Sequence, residues 1–524
     1  MNKKVILFSV FLVAILLRCL YFKEAITFTY DQARDALQAI DIWTNDPVKI
    51  IGPQTDLKGL YHGPLYWYLI SPVYFFTKEN VWIVKFFLIL ANTANLFLIY
   101  SLSFSLFKDK KISFLAAFFY AISFETVQYA RWLSNPSPAI ISTTISFWSL
   151  WKLMENKKWA LPLLLFSWGL SVQFEFFLIY QISIFVFIWL LAKGTKLPKL
   201  NNRWLMVTLF SLIVPFMSFL VAEIKFKGQG LQALLLIGKG QSSLGTNFSR
   251  LLLGTVDRLV LVFFHNLWGV NIFLAGLMTL ITLYLACLLI TRQKNLKKQL
   301  ILLVIWIISP MALDFFKGTQ STFVTLGSGI GSLILSAYLI SYFFARSGRR
   351  WLYFLIIGII TFGNLKLIIS QNRYGETLFA VQDKMNLGDQ LKIIDWIYEE
   401  SDQQPFHLNT ITNPLFINTT WAFLFNWYGK GHYEYMPVWW GETQVDVFGS
   451  EINFSPEQKT KLHFLIIEPD PGMFGGYIQA IRQLEDSRSQ VVADKQFGNF
   501  LVEKRIVTNP RIFTSRDVFD LLSK

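Results

Sequence analysis

Across the first 370 positions, long apolar runs alternate with short clusters of basic and polar residues. A helix that crosses a bilayer needs about 20 mainly apolar residues. On that measure the pattern predicts spans at 5–22, 81–107, 112–130, 138–154, 159–172, 174–192, 204–222, 271–290, 299–316, 322–344 and 351–369. The run 159–192 is too long for one span, and Gln173 and Glu175 at its middle predict a turn between two short helices. Gly63–Thr77 is apolar but short and contains Pro64 and Pro72, so its pattern fits either a short span or a helix lying on the membrane surface. Beyond residue 370 the pattern changes. Helical periods over Leu387–Glu400 and Tyr477–Glu485 mix with short alternating runs at Phe406–Ile411, His463–Ile467 and Phe500–Val502, which predicts a small α/β domain over 371–524.

Charge orients the chain. If Gly63–Thr77 does not cross, the basic clusters Lys3/Lys4, Lys108/Lys110/Lys111, Lys157/Lys158, Lys193/Lys196/Lys199/Arg203, Arg292/Lys294/Lys297/Lys298 and Arg346/Arg349/Arg350 all fall on one side. The positive-inside rule selects that arrangement and about eleven spans, with the N-terminus cytoplasmic and 371–524 extracytoplasmic. Lys3 and Lys4 before an apolar run have the look of a signal peptide. The run ends in LLRCLYF without a small-x-small cleavage site, which favours an uncleaved anchor. Two outer loops then follow, 23–80 and 223–270, and with 1–370 they make up the transmembrane domain.

Composition excludes most other classes. Apolar residues are 53% of the chain and charged residues 16%, against roughly 25% charged in soluble proteins. Fifty Phe, 20 Tyr and 18 Trp exclude a disordered chain. Both cysteines, Cys19 and Cys287, lie inside apolar runs, so no disulfide framework is expected. The net charge of +14 does not indicate nucleic acid, because the basic groups sit in short loops rather than on one continuous face.

Candidate chemistry gathers on the outer side. Tyr30-Asp31-Gln32-Ala33-Arg34-Asp35 follows the first span and opens an amphipathic surface helix with Leu37, Ile40 and Trp43 on one face. Asp31 fits two roles there: helix N-cap, or general base with Arg34 one turn on as an anion clamp. Glu125, Arg131, Asn135, Gln173, Glu175, His265, Asp314, Lys317 and Gln320 fall at the predicted outer ends of spans, where unpaired ionisable groups are costly. For Arg131 and Lys317, snorkelling to lipid phosphates is the competing role. The loop 223–270 adds Asp257, Arg258 and Asn266, and a glycine-rich GKGQSSLG that follows no predicted strand and reads as a loop rather than a phosphate cradle. The five histidines lack metal-ligand spacing, and neither GxSxG nor GxxxxGK[ST] occurs.

Three landmarks together resemble the GT-C class of polyprenyl-phosphate-sugar glycosyltransferases, in the branch of the protein O-mannosyltransferases and the lipid A aminoarabinose transferase. They are YDQARDA in the first outer loop, Tyr61-His62-Gly63-Pro64-Leu65-Tyr66-Trp67-Tyr68, and Arg131-Trp-Leu-Ser-Asn135-Pro136. The resemblance implies a mainly α, polytopic fold and inverting sugar transfer at the outer membrane face. It implies a polyprenyl-phosphate-linked sugar as donor and a glycan, lipid or protein hydroxyl as acceptor. Asp31 matches the family's essential carboxylate and Arg34 its phosphate-contacting arginine. His62, Arg258 and Lys317 are the further candidates for the donor phosphate, and Tyr61, Tyr66, Arg131, Asn135, Gln173, Glu175 and His265 for the rest of the substrates. Gln32 stands where the family often has Glu, Tyr61-His62 where it has an acidic-basic pair, and Asn135 where Asp is common. These losses of carboxylate leave Asp31 as the base candidate. A divalent metal is possible but has no support in the sequence.

The residues alone also admit a transporter or lipid flippase, but such a protein would show internal repeats and midplane charges, and the polar groups here lie at one face. If the topology is right, single cysteines introduced near Lys58 and Ser450, with Cys19 and Cys287 replaced, react with an impermeant thiol reagent in intact cells. Labelling that needs permeabilised cells reverses the topology.

Overall fold

The computed structural model describes the whole chain except residues 1–2, 56, 193–197, 239–247, 312–321, 346–349, 380–381, 383, 442–459, 470–474 and 524. The chain is mostly helical. Helix α1 covers Lys3–Arg18, α2 Tyr30–Thr44, α3 Leu65–Phe76, α4 Val81–Phe107, α5 Lys110–Ile122 and α6 Phe124–Arg131. Then come α7 Pro136–Met154, α8 Ala160–Phe174, α9 Gln181–Ala192, α10 Asn202–Lys225, α11 Gln229–Gly238 and α12 Phe248–Asn266. Helices α13 Ile272–Arg292, α14 Lys297–Ile308, α15 Ser328–Phe344 and α16 Arg350–Gln371 complete the apolar part. The remainder runs α17 Leu387–Glu400, β1 His407–Ile411, α18 Thr419–Leu424, α19 Lys430–Tyr433, β2 Val438–Trp439, β3 Leu462–Ile467, α20 Gly475–Arg488, β4 Ser489–Phe497, β5 Phe500–Val507 and α21 Ser515–Leu522.

These elements form two compact units. Met1–Leu20, Val48–Leu69 and Lys85–Ser370 make the first; Tyr21–Pro47, Ile70–Val84 and Gln371–Lys524 make the second. Among the described residues, α4, α10, α13 and Arg350–Tyr374 are long and apolar enough to cross a membrane, and α5 with α6 makes a fifth such segment if their 57° bend lies within one span. Other expected spans coincide with shorter apolar helices, including α8 and α15. Phe210 on α10 and Phe273 on α13 stand 71% and 82% exposed, an arrangement that lipid favours and water penalises.

The bend between α5 and α6 has a definite cause. Ser123 is extended (φ −60°, ψ 127°), ending α5 and capping α6 with its hydroxyl, which accepts from the Thr126 amide at 3.3 Å. Carbonyls released by the break are taken up by the Arg18 guanidinium, at 3.4 Å from Tyr120 and 3.1 Å from Ala121. The released Phe124 amide donates to Asn364 Oδ1 at 2.9 Å. Asn266 joins the same cluster, accepting from Ser123 at 2.8 Å and donating to Glu125 Oε2 at 2.6 Å. A broken helix survives in a bilayer only when protein groups satisfy its backbone in this way.

In the second unit the strands form one sheet in the order β2-β1-β3-β5-β4, with β2, β1 and β3 parallel and β5 and β4 antiparallel. Leu465, Ile467 and Ile411 face α20 and α21 across a core that includes Ile481, Phe513 and Val518. β4, with the polar sequence SQVVADKQF and an exposed face, has no apolar alternation and was not among the expected strands. Inside the sheet's helical flank, Glu485 accepts from His463 at 3.0 Å, Asn409 at 2.6 Å and Arg488, whose guanidinium lies 3.8 Å over Trp440.

At the end of β3, Glu468 is buried and accepts from Gln382 Nε2 (2.9 Å), the Asn413 amide (3.0 Å) and Trp421 Nε1 (2.9 Å). Burial pushes its carboxyl up to about 7, and the three donors offset only part of that rise. A carboxyl raised on folding contributes stability that is complete below the unfolded value and is lost as pH climbs through 7. Thermal unfolding in detergent should therefore show a drop in melting temperature from pH 5 to pH 8, and Glu468→Gln should shrink that drop. An equal drop in both proteins would exclude Glu468 as its source.

Candidate active site

The candidate residues gather in two groups, one in each unit. In the second unit, Thr29 is the N-cap of α2. Gln32 Oε1 accepts from the Thr29 amide at 3.0 Å and from its hydroxyl at 2.7 Å. This is the reciprocal cap that Glu or Gln makes at the third helical position, so Gln32 has a structural task. The expected capping role of Asp31 is thereby corrected. Thr29 holds that position, and Asp31 lies in the first turn with its side chain 51% exposed.

Arg34, one turn on, is buried between two carboxylates. Its Nη1 lies 2.6 Å from Asp31 Oδ1, and its Nε and Nη2 reach Asp35 Oδ1 at 3.0 and 2.9 Å. Burial acts against the guanidinium charge, but Asp35 and then Asp31 more than offset it and hold Arg34 above the ordinary arginine range. The result is a permanently charged arginine, anchored by Asp35 on its own helix, with a half-exposed carboxylate on its other arm. Sequence reasoning passed over Asp35. The signal was present: Asp31 and Asp35 stand four apart with Arg34 between them, and residues so spaced share one helix face.

In the first unit, residues from the second and third sequence landmarks meet the Gln173/Glu175 pair at a second helix break. Helix α8 stops at Phe174, Glu175 is extended (φ −138°, ψ 102°), and a short 3₁₀ turn, Phe176–Tyr180, follows. The Gln173 carbonyl accepts from the Gly63 amide at 2.9 Å, and the Phe174 carbonyl from Asn135 Nδ2 at 2.6 Å. Past the break, the Phe176 amide donates to His62 Nδ1 at 3.1 Å and the Phe177 amide to Glu175 Oε1 at 3.4 Å. Because a backbone N–H can only donate, Nδ1 is the acceptor and the His62 proton sits on Nε2. The 3.8 Å approach of Glu175 Oε1 to Nδ1 is therefore not a hydrogen-bonded ion pair. His62, Asn135, Gln173 and Glu175 are all buried.

The remaining candidates are dispersed. Tyr61 pairs with Gln54 in the loop ahead of α3, and Tyr66 is buried in the first turn of that helix. Arg131 is fully buried and donates to the carbonyls of Leu20 and, at 3.4 Å, Arg18, closing the end of α1. Arg258 and His265 lie on α12, with the His265 ring 5.9 Å from Phe124. Lys317, Asp314, Gln320 and most of GKGQSSLG lie outside the described residues. Among the described residues, no three His, Cys, Asp or Glu side chains group as metal ligands would.

Residues 61–221 match the family model of the dolichyl-phosphate-mannose-protein mannosyltransferases. Over 95% of this chain and 97% of the other, the structure is similar to that of ArnT from Cupriavidus metallidurans bound to undecaprenyl phosphate, with a TM-score of 0.57 at 10% identity. For the apo state of the same protein the coverage and identity are the same and the TM-score is 0.53. The chain has the GT-C glycosyltransferase fold. No curated protein matches the sequence. The matched GT-C segment begins at Tyr61 and contains the second and third landmarks and the Glu175 break, while α2 precedes it.

Gly63 marks how tightly this GT-C segment is packed at its break. A Cβ there would lie 1.9 Å from Gln173 Oε1, and Gln173 cannot swing away freely because its amide donates to the Pro215 carbonyl and, at 2.8 Å, to Ser218. Gly63→Ala should cost about 1–3 kcal/mol through overpacking, and the cost should largely disappear when combined with Gln173→Ala. Strict additivity of the two substitutions in thermal unfolding would place the strain elsewhere.

Proposed function

We propose that this protein is an inverting glycosyltransferase that moves a sugar from a polyprenyl-phosphate donor to an acceptor hydroxyl at the extracytoplasmic face of the membrane. The observation that carries the reading is the Asp31–Arg34–Asp35 group on the helix that follows α1 in a GT-C fold. Inverting transfer requires a base for the acceptor proton and a cation for the departing phosphate. Asp31 takes the proton as the acceptor oxygen bonds to the anomeric carbon from the face opposite the leaving group. The bond from that carbon to the phosphate oxygen breaks, and the lipid phosphate leaves with the electron pair.

Arg34 suits the cationic role for a geometric reason. Asp35 anchors its Nε and Nη2 to the helix, while Nη1 reaches the half-exposed Asp31. An arriving phosphate can replace Asp31 on Nη1, which leaves the carboxylate free for the acceptor hydroxyl. A guanidinium fork permits this exchange without losing its anchor, whereas an ammonium has no second arm to keep it in place. His62, Arg258 and Lys317 are proposed as further contacts of the donor phosphate. Tyr61, Tyr66, Arg131, Asn135, Gln173, Glu175 and His265 are proposed to shape the substrate-binding region. We place residues 371–524 outside the cell membrane and the N-terminus inside, on the one-sided distribution of basic loops.

Purified protein incubated with undecaprenyl-phosphate hexoses and pentoses, together with glycan, lipid and peptide acceptors, should release undecaprenyl phosphate from at least one donor. Asp31→Asn keeps the size of the side chain, and Thr29 still caps the helix, so folding should be retained. Loss of a general base should lower turnover by about 10²–10⁴. Turnover of folded Asp31→Asn at the wild-type rate would remove Asp31 as the base.

A further inference from the structure

We propose that residues 375–376, 385–390 and α18, more than 340 residues away in sequence, are positioning parts of the active site, and that Glu376 is the residue through which they hold α2 in register; this rests on the function proposed above. Both partners lie within the second unit. Thr27 stands two residues before the N-cap of α2 and four before Asp31. Its amide donates to Glu376 Oε2 at 3.0 Å, and its hydroxyl accepts from the Glu376 amide at 2.8 Å. This is a reciprocal pair across 349 positions, with Glu376 only 1% exposed.

The rest of the lead-in strand is fastened to the same segment. The Phe28 amide donates to the Met385 carbonyl at 2.9 Å, the Leu387 amide to Ile26 at 2.8 Å, and Gln390 Nε2 to the Phe28 carbonyl at 2.9 Å. Gly375, at φ +90°, is required here, because a Cβ on it would come to 2.2 Å from Thr27 Oγ1. Helix α18 packs directly on α2, with Phe423 and Phe28 stacked at 5.5 Å between centroids. Four of the six main-chain polar groups of residues 26–28, the Ile26 carbonyl, the Thr27 amide and both groups of Phe28, are thus bonded to buried partners from beyond residue 370. That is how a carboxylate on a surface helix can be held to the fraction of an ångström that proton transfer demands. A domain serving only as a separate module would need none of these bonds.

The test uses the full chain in detergent. Glu376→Ala should speed hydrogen–deuterium exchange of the amides over residues 27–35 by at least tenfold, with little change in sheet amides such as those of β3. It should lower turnover of whichever undecaprenyl-phosphate sugar the wild type uses by about 10–100-fold, the range expected for a misplacement of about 1 Å. Glu376→Gln, whose amide oxygen can still accept from Thr27, should restore most of both losses. Thr27→Val, with a fully folded melting profile, should reproduce the exchange effect in milder form if Glu376→Ala proves unstable. Unchanged exchange over 27–35 in folded Glu376→Ala or Thr27→Val overturns the proposal, as does a global loss of protection that Gln does not rescue. If the wild type releases undecaprenyl phosphate from no donor, the proposed function falls, while the exchange measurement still decides whether this segment holds α2.

Discussion

Lipid offers no hydrogen bonds, so each place where a membrane helix breaks must be satisfied by the protein itself. Much of the first unit is organised around that constraint. At Ser123 the carbonyls and amides set loose by the break are taken by Arg18, Thr126 and Asn364. At Glu175 they are taken by Gly63, Asn135, His62 and Glu175 itself. Polar side chains that look like isolated oddities in an apolar sequence are therefore placed where backbone groups would otherwise be stranded. It also follows that two of the sequence landmarks, the His62-Gly63 stretch and the Asn135-Pro136 turn, are held to each other through the break between α8 and the turn after it.

A second requirement, the control of charge, shapes α2. A buried guanidinium is tolerable because two carboxylates flank it, and the same two carboxylates fix which of its arms is anchored and which can exchange. Asp35 and Asp31 are chemically identical but differ in exposure, one buried and the other open to solvent. That difference sets them apart: the buried carboxylate orients the arginine, and the other reaches solvent. Gln32, neutral where a carboxylate is common, caps the helix without adding a third negative charge to the group.

The second unit shows how a small α/β assembly and a surface helix can become one structural element. The strands β2, β1 and β3 run parallel, β5 and β4 complete the sheet, and residues preceding α17 reach back to the lead-in of α2. Glu468 and Glu485 illustrate two solutions for a buried carboxyl. Glu485 accepts from buried His463 and lies beside the Arg488 guanidinium, and these hydrogen bonds with the Arg488 charge hold it below the usual carboxylate range despite burial. Among the described residues Glu468 receives neutral donors alone, and it stays high.

Sequence alone determined the class of the protein, because apolar run length and the placement of lysine and arginine answer directly to the thickness and polarity of a bilayer. The polar pair Gln173/Glu175 marked a helix break for the same reason: no continuous apolar helix accommodates it cheaply at that depth. The amphipathic period of α2 and the Asp31–Arg34 spacing were legible too, since contacts one turn apart are written into local sequence. Tertiary structure decided what spacing could not express. Arg131 closes the end of α1, and the polar strand β4 pairs along β5 without any alternation of its own. The union of residues 24–29 with 376–390 was likewise invisible in the sequence. Such pairings depend on which distant backbone groups remain unsatisfied once the chain has folded, and no local pattern encodes that.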